Sequence, residues 1–184
     1  MAKRLGSLSR RRRLLAVLAV LAVAALVYFL LGRSSTVAPR LVASQPVAML
    51  GSGSEAVAVA GDGTVLAWLP APEEGSLPRL PLAEPPKGPR LAGPALEQVR
   101  ILAATPAALR PYVAGSRYGE SGVDVELSTG IELRFGESTQ ASRKWRAAAA
   151  LLADPALTAL DYIDLHAPSR PATYGSGHAL PPVP

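Results

Sequence analysis

An uninterrupted apolar segment near the N-terminus is the feature that most constrains how this chain folds. Residues 14–31 (LLAVLAVLAVAALVYFLL) contain no charged residue, glycine or proline. A helix of this length, rising about 1.5 Å per residue, measures about 27 Å, which is close to the hydrocarbon thickness of a bilayer. The segment therefore predicts a transmembrane helix from Leu14 to Leu31.

The charges that flank this segment predict its orientation. Four consecutive arginines precede it, namely Arg10, Arg11, Arg12 and Arg13. Because positively charged flanks stay on the cytoplasmic side, we expect residues 1–13 to form a basic cytoplasmic tail and everything after Gly32 to be exported. The arginines are a topology signal first and a contact for anionic lipid second.

A cleaved signal peptide is the alternative interpretation of the same segment. Residues 9–15 (SRRRRLL) resemble a twin-arginine signal. However, the apolar core is longer than the roughly 7–15 residues usual in a signal peptide. The small-residue pair Thr36 and Ala38, where cleavage would occur, is followed by Pro39. A retained single-pass anchor is the favoured interpretation.

The net charge of +5 divides unevenly along the chain. The first forty residues hold eight of the nineteen basic residues and none of the fourteen acidic ones, which leaves eleven basic against fourteen acidic residues from Leu41 onward, a net of −3. A domain with this balance has no electrostatic basis for binding nucleic acid. The absence of cysteine excludes a disulfide scaffold, thiolate zinc sites and cysteine nucleophiles.

After the anchor, composition and pattern predict a linker, one domain and a tail. Residues 32–46 show no hydrophobic periodicity, which is typical of a linker. Residues 47–166 alternate between strand and helix patterns, which predicts one small exported α+β domain with a mostly antiparallel sheet and two to three helices. Residues 167–184 are rich in proline and glycine, and we expect a disordered tail there.

The first half of this domain begins with a predicted strand over 47–50 and a hairpin. Residues 56–60 and 64–69 flank a Gly-Asp-Gly segment. A two-residue Asp-Gly turn between them sets Val59 opposite Leu66 and gathers the large apolar side chains on one face.

A second hairpin is predicted later in the domain. Apolar and polar side chains alternate over 123–127 and again over 131–135. A three-residue loop over 128–130, with its glycine in the left-handed region, keeps both apolar sets on one face and sets Asp124 opposite Arg134.

The helical patterns fall between and after these hairpins. Residues 94–104 have helix-like apolar spacing, and Thr105-Pro106 predicts a second short helix through Val113. Residues 138–153 predict an amphipathic helix, followed by a final strand over 160–166.

The chain offers little catalytic chemistry. Asp164 and His166 lie two apart on the final strand, but no third metal ligand accompanies them. The adjacent Glu73 and Glu74 point apart in an extended segment, and the glycine clusters lack phosphate-loop and nucleophile-elbow patterns. The helix residues Arg143, Lys144 and Arg146 are interpreted as a solvated basic face. We therefore expect no catalytic, cofactor or metal site.

Several short segments, taken in order, resemble one protein family. They are Pro46-Val-Ala48, Gly61-Asp-Gly63, Gly75 with Leu77-Pro78 and Leu80, the hairpin ending in Gly136, the helix with Lys144, and Tyr162-Ile-Asp164-Leu165 before Pro168 and Arg170-Pro171. Each is weak alone, but their order over about 130 residues resembles the single-pass cell-division proteins FtsQ and DivIB.

The resemblance implies a non-catalytic membrane scaffold of the divisome, located at the division septum. It implies an exported domain that offers a strand edge to partners of FtsB/DivIC and FtsL type, with no cofactor, small-molecule substrate or nucleic acid. Asp164 and Leu165 are carried over as the strand leading into the partner site. Ser169 and Arg170 are carried over as candidate partner contacts.

The chain departs from the family in two ways. Relatives carry a POTRA domain, on the order of 70 residues, between anchor and distal domain, whereas only the fifteen residues 32–46 stand there. His166 and Ala167 also stand where relatives often have arginine and an aromatic residue. The alternative function is an envelope small-ligand-binding module, tethered or secreted, which a deep polar pocket would favour. A membrane-anchored hydrolase ranks third.

Overall fold

The computed structural model of the chain describes residues 45–82, 86 and 88–182. The predicted basic tail, the predicted membrane helix over 14–31 and nearly all of the predicted linker lie outside these residues. Within the described part of the chain, no helix has both the length and the apolar character needed to cross a bilayer.

The described residues form seven strands and two α-helices. The strands are β1 (Pro46–Leu50), β2 (Val57–Ala60), β3 (Val113–Gly119), β4 (Gly122–Leu127), β5 (Glu132–Gly136), β6 (Ala159–Asp164) and β7 (Ala172–Ala179), and the helices are α1 (Gly93–Ala103) and α2 (Ala141–Leu152). Short 3-10 turns occupy Gly53–Glu55 and Arg110–Tyr112. The predicted α+β class is confirmed.

The main sheet has the strand order β3-β4-β5-β6-β7. All neighbours are antiparallel except β5 and β6, which run parallel and are connected by α2. A crossover helix is the usual link between parallel strands, because a hairpin turn cannot make one.

The segment Pro78–Leu80 joins the β1–β2 pair to this sheet. The Arg79 N–H donates to the Ala114 carbonyl at 3.0 Å, and the Arg79 carbonyl accepts from the Ser116 N–H at 3.1 Å. On its other side, Met49 donates to Pro78 at 2.9 Å and Leu80 donates to Met49 at 2.9 Å. Backbone pairing is therefore continuous from β2 to β7.

The helices cover the apolar face of the sheet, and Trp145 is the largest side chain between them. It is fully buried on α2 and its ring centroid lies 4.9 Å from that of Phe135 on β5. Its indole N–H donates to the Ile101 carbonyl of α1 at 2.8 Å. One side chain thus links both helices and the sheet.

Lys144 does not belong to a solvated basic face, so that interpretation is wrong. Its side chain is buried, and its ammonium donates to the carbonyls of Phe135 at 2.6 Å and Glu137 at 3.0 Å. Burial lowers the pKa of Lys144. The exposed residues Arg143 and Arg146 remain on the outer side of the helix.

The second predicted hairpin is confirmed in register and loop length. Asp124 pairs with Arg134, and the Leu127 N–H donates to the Ile131 carbonyl at 2.9 Å across a three-residue loop. Gly130 has a φ of +94°, as the loop requires.

The first predicted hairpin has the wrong register. Val59 pairs with Val65 and not with Leu66, because the loop has three residues, closed by the Ala60 N–H donating to Thr64 at 2.9 Å. The Asp62 carboxylate accepts from the Thr64 N–H at 3.0 Å, and Gly63 has a φ of +86°. These two features stabilise the longer loop.

The predicted short helix over 106–113 is also wrong. The segment forms turns and a 3-10 turn, and β3 begins at Val113. Pro111 lacks a backbone donor and therefore cannot continue an α-helical hydrogen-bond ladder, although a single 3-10 turn accommodates it. Val113 pairs with Leu127 in the sheet instead.

The prediction of a disordered tail over 167–184 is wrong, because β7 lies within it. All eight β7 residues are exposed, so no alternation of apolar residues indicates the strand. Its order comes from backbone pairing with β6. As a result β6 lies inside the sheet and not at its edge.

The two tryptophans provide a matched test of the core. We expect Trp145→Ala to lower the free energy of unfolding by about 3–5 kcal/mol, because it leaves a cavity between two helices and the sheet. The control Trp68→Ala, at a side chain that is 70% exposed, should change it by less than about 0.5 kcal/mol. Urea denaturation followed by circular dichroism measures both, and equal effects would contradict the packing described.

Candidate partner-binding edge

The outer edge of β7 is the longest strand edge that the sheet leaves without a neighbouring strand in the described part of the chain. By contrast, the outer edge of β3 is partly occupied, since Arg79 pairs with it at Ala114 and Ser116. An unpaired edge presents a row of backbone donors and acceptors to an incoming strand.

The pairing of β6 shows which backbone groups of β7 face the open edge of the sheet. The Leu165 N–H donates to Arg134 of β5 at 2.9 Å. Alternate residues of a strand point to opposite neighbours, so Tyr162 and Asp164 direct their backbone groups toward β7. Thr173 lies opposite Ile163, between these two positions. Its backbone N–H and C=O therefore point away from β6, toward the open edge.

A bulge divides β7 at Gly175-Ser176-Gly177. The register changes there, because Tyr162 pairs with Tyr174 whereas Leu160 pairs with His178. The carboxylate of Asp161 fills the bulge and accepts from the Gly177 N–H at 2.8 Å.

Glycine is required at two places along this strand's contacts. At Gly175 the φ is +83°, and a Cβ would lie 1.8 Å from the Asp161 carboxylate. At Gly130, in the β4–β5 loop, a Cβ would lie 2.6 Å from the His178 ring. Both close approaches fix β7 against the rest of the sheet.

Two tyrosines and an arginine form a stack on the outer face beside this edge. The rings of Tyr162 and Tyr174 are stacked with centroids 5.2 Å apart, and the guanidinium of Arg134 lies 3.6 Å from the Tyr162 centroid. Tyr174 is 63% exposed. An aromatic ring held by stacking loses little freedom on binding, which makes it a suitable anchor for a partner.

The charged groups on the same face largely neutralise one another. Arg117 pairs with Glu132 and lies 3.5 Å from Asp124, and Arg134 pairs with Glu132 at 2.6 Å. Burial and then repulsion by Glu132 raise the pKa of Asp124. Burial opposes ionisation of Glu132, but the hydrogen bond from Arg134 and the nearby guanidiniums lower its pKa overall.

The four residues predicted for partner binding occupy three environments. Asp164 is the last residue of β6, and its carboxylate accepts a hydrogen bond from the backbone N–H of His166 at 2.9 Å. Leu165 is fully buried in the core, so its side chain does not face a partner. Ser169 and Arg170 are exposed in the turn that leads into β7.

A half-open groove of about 960 Å³ lies near β3 and extends along the charged face, where Arg117, Asp124 and Glu132 line it. Leu50 and Leu80 line it together with Arg79 and Arg117. Both guanidiniums bind carboxylates, those of Glu74 and Glu132 respectively. Among the described residues, no cluster of three or more potential metal ligands occurs there or elsewhere.

Comparison with known proteins identifies the family. Residues 48–166 match the family described as "Cell division protein FtsQ/DivIB, C-terminal". The chain belongs to this family. The major extracytoplasmic domain of the cell-division protein DivIB from Geobacillus stearothermophilus is similar at 18% identity, with a TM-score of 0.43 over 59% of this chain and 91% of that one. No curated protein matches the sequence.

Membership of the FtsQ/DivIB family connects the chain with cell division and with a family of non-catalytic division scaffolds. The resemblance seen in the sequence is therefore confirmed. Sequence reasoning missed β7 and the outward position of Thr173. The one signal for that strand was the short polar run 172–179 bounded by Pro171 and Pro181.

Substitution at the bulge tests how β7 is held. We expect Gly175→Ala to lower the free energy of unfolding by about 1–3 kcal/mol, because it forces a positive φ and a clash with Asp161. Hydrogen exchange should accelerate across β7. Ser176→Ala, in the same bulge, is the control and should leave the exchange of β7 unchanged, so equal effects of the two variants would refute this account.

Proposed function

We propose that this chain is a non-catalytic, single-pass membrane scaffold of the divisome, which binds a partner strand of FtsB/DivIC type along the outer edge of β7. The family supports the division role, and the unpaired edge of β7 is the observation that carries the binding mode. The site lies one strand beyond the edge expected from the sequence, because β7 covers β6.

Strand addition fits the chemistry of this edge. β7 has no buried side chain, so an added strand disturbs no packing and gains hydrogen bonds to backbone groups that otherwise bind water. Ser169 and Arg170 stand exposed at the beginning of β7, where they are available to the end of such a strand. Tyr174 stands beside its middle.

The N-terminal segment supports the membrane part of the proposal. We assign residues 1–13 to the cytoplasm, 14–31 to the membrane and 32–46 to a linker, with the domain outside the cell membrane at the septum.

A proline at the outward-facing position of β7 tests the binding mode. Thr173→Pro removes a backbone donor from the outer edge while leaving the donors that pair with β6, and edge strands tolerate proline. We expect co-purification of the full chain with the FtsB/DivIC-type protein of the same organism to fall at least about tenfold.

Two controls accompany this variant. Thr173→Ala keeps the backbone donor and should bind as the wild type does. Glu55→Arg, at an exposed residue that lines the groove, should also bind normally. Binding that survives Thr173→Pro but is lost in Glu55→Arg would indicate that the groove is the functional site and favour the alternative, a ligand-binding module.

The membrane anchor predicts an intact N-terminus. Mass spectrometry of the chain purified from membranes should detect peptides from residues 14–31, because a retained helix is not cleaved. A mature chain that begins at Pro39 would instead show a signal peptide.

A further inference from the structure

His166 stands between two hydrogen-bond acceptors on different parts of the sheet. Its Nδ1 lies 2.8 Å from the Asp164 carboxylate, which also accepts from the His166 backbone N–H at 2.9 Å. Its Nε2 lies 3.2 Å from the carbonyl of Ser121 in the β3–β4 turn. We call these three residues the His166 clamp.

Two glycines make room for the ring. At Gly136 a Cβ would lie 2.6 Å from the His166 ring, and at Gly122 a Cβ would lie 2.6 Å from the Gly136 backbone. The ring therefore rests on the end of β5 while reaching the turn beyond it. Its position is defined on both sides.

Both ring nitrogens donate hydrogen bonds only in the imidazolium form, because neutral histidine has one donor and one acceptor. The carboxylate of Asp164 is the stronger acceptor and retains the Nδ1–H when the ring is neutral. A lone pair on Nε2 then faces the Ser121 carbonyl. Deprotonation thus breaks the contact with the β3–β4 turn first.

We propose that His166 is a pH-dependent positioning residue, which as the imidazolium fixes the beginning of the β6–β7 turn and, through Asp164 paired with Ala172, the start of the β7 edge. The effect on partner binding rests on the function proposed above. The clamp itself does not, because it is defined within this chain.

Four charged groups lie in or around the clamp. Asp164 belongs to it, and Lys144 approaches from α2 with Glu137 beside its ammonium. Arg134, at the paired position of the neighbouring strand β5, acts on Asp164 through its positive charge. The hydrogen bond to Asp164 and then that to Ser121 raise the pKa of His166, against burial and Lys144. Burial opposes ionisation of Asp164, but the hydrogen bonds from His166 lower its pKa overall.

The direction of the pH dependence follows from the raised pKa of His166 in the folded chain. The stabilisation by the clamp is complete below the unfolded value of about 6.5 and is lost as pH rises through the higher folded value. The beginning of the β6–β7 turn should therefore be fixed at mildly acidic pH and should lose its contact with the β3–β4 turn at alkaline pH, while β7 stays paired with β6.

The first test observes the clamp directly. The full chain contains two histidines, so NMR of protein labelled at histidine and glycine in detergent, with His178→Gln for assignment, isolates the ring signals of His166 and also reports the Gly122 amide. We expect its midpoint above about 6.5, the Gly122 amide to follow the same midpoint, and Asp164→Asn to lower it. A midpoint at or below that value, or a Gly122 amide that does not respond, would overturn the clamp.

The second test measures binding to the purified extracytoplasmic segment of the organism's FtsB/DivIC-type protein at pH 6.0 and 8.5. We expect wild-type affinity to fall about three- to tenfold at the higher pH, and His166→Gln to show the same affinity at both. An affinity that changes equally in His166→Gln refutes the positioning role. Absence of wild-type binding at both pH values contradicts the proposed function, while the NMR titration still decides the clamp.

Discussion

The close contact of backbones at Gly136 is the constraint on which the sheet depends. Here the end of β5 lies against Gly122 at the start of β4, under the ring of His166 that follows β6. The buried ammonium of Lys144 binds the carbonyls on either side of this glycine. Three strands and α2 therefore meet at one residue without a side chain, whose φ of +68° turns the chain out of the sheet. The parallel pairing of β5 and β6 needs this turn, because α2 begins only five residues later.

The two edges of the sheet differ in how far other backbone segments cover them. Near β3, the segment Pro78–Leu80 pairs with the edge and connects it to β1. At the opposite side, β7 covers β6 but has no covering strand of its own in the described residues. β7 also contributes no buried side chain, so its hold on the sheet depends on backbone pairing, the Asp161 contact in the bulge and the His178 ring over Gly130. A strand held in this way is a template whose position is sensitive to the loops that anchor it.

The accuracy of prediction from the sequence differs between the parts of the structure that depend on side-chain burial and the parts that depend on backbone hydrogen bonds. The register of the second hairpin was predictable from its loop as far as the pair Asp124 and Arg134, because burial of alternate side chains and a glycine-containing loop admit one register, whereas the irregularity that pairs Val123 with Gly136 was not. The first hairpin was not, since Asp62 stabilises a three-residue loop that the Asp-Gly pair alone does not indicate. The sequence did not predict β7, and the reason also makes β7 a candidate site. Its order comes from hydrogen bonds to β6, and none of its side chains is buried. Lys144 was misplaced because a charged residue on a helix is usually solvated, whereas here the carbonyls flanking Gly136 require a donor.

In the binding mode proposed here, backbone pairing along β7 would supply affinity but no choice of partner, because every extended segment offers the same donors and acceptors. Discrimination has to come from side chains beside the edge. The charges on the outer face are poor candidates, since Arg117, Arg134 and Glu132 already satisfy one another. The exposed ring of Tyr174, stacked on Tyr162, and the exposed pair Ser169 and Arg170 remain. If β7 binds a partner strand as proposed, we expect that strand to carry an apolar side chain opposite Tyr174 and an acidic residue near Arg170, because this combination would separate a cognate strand from an arbitrary one.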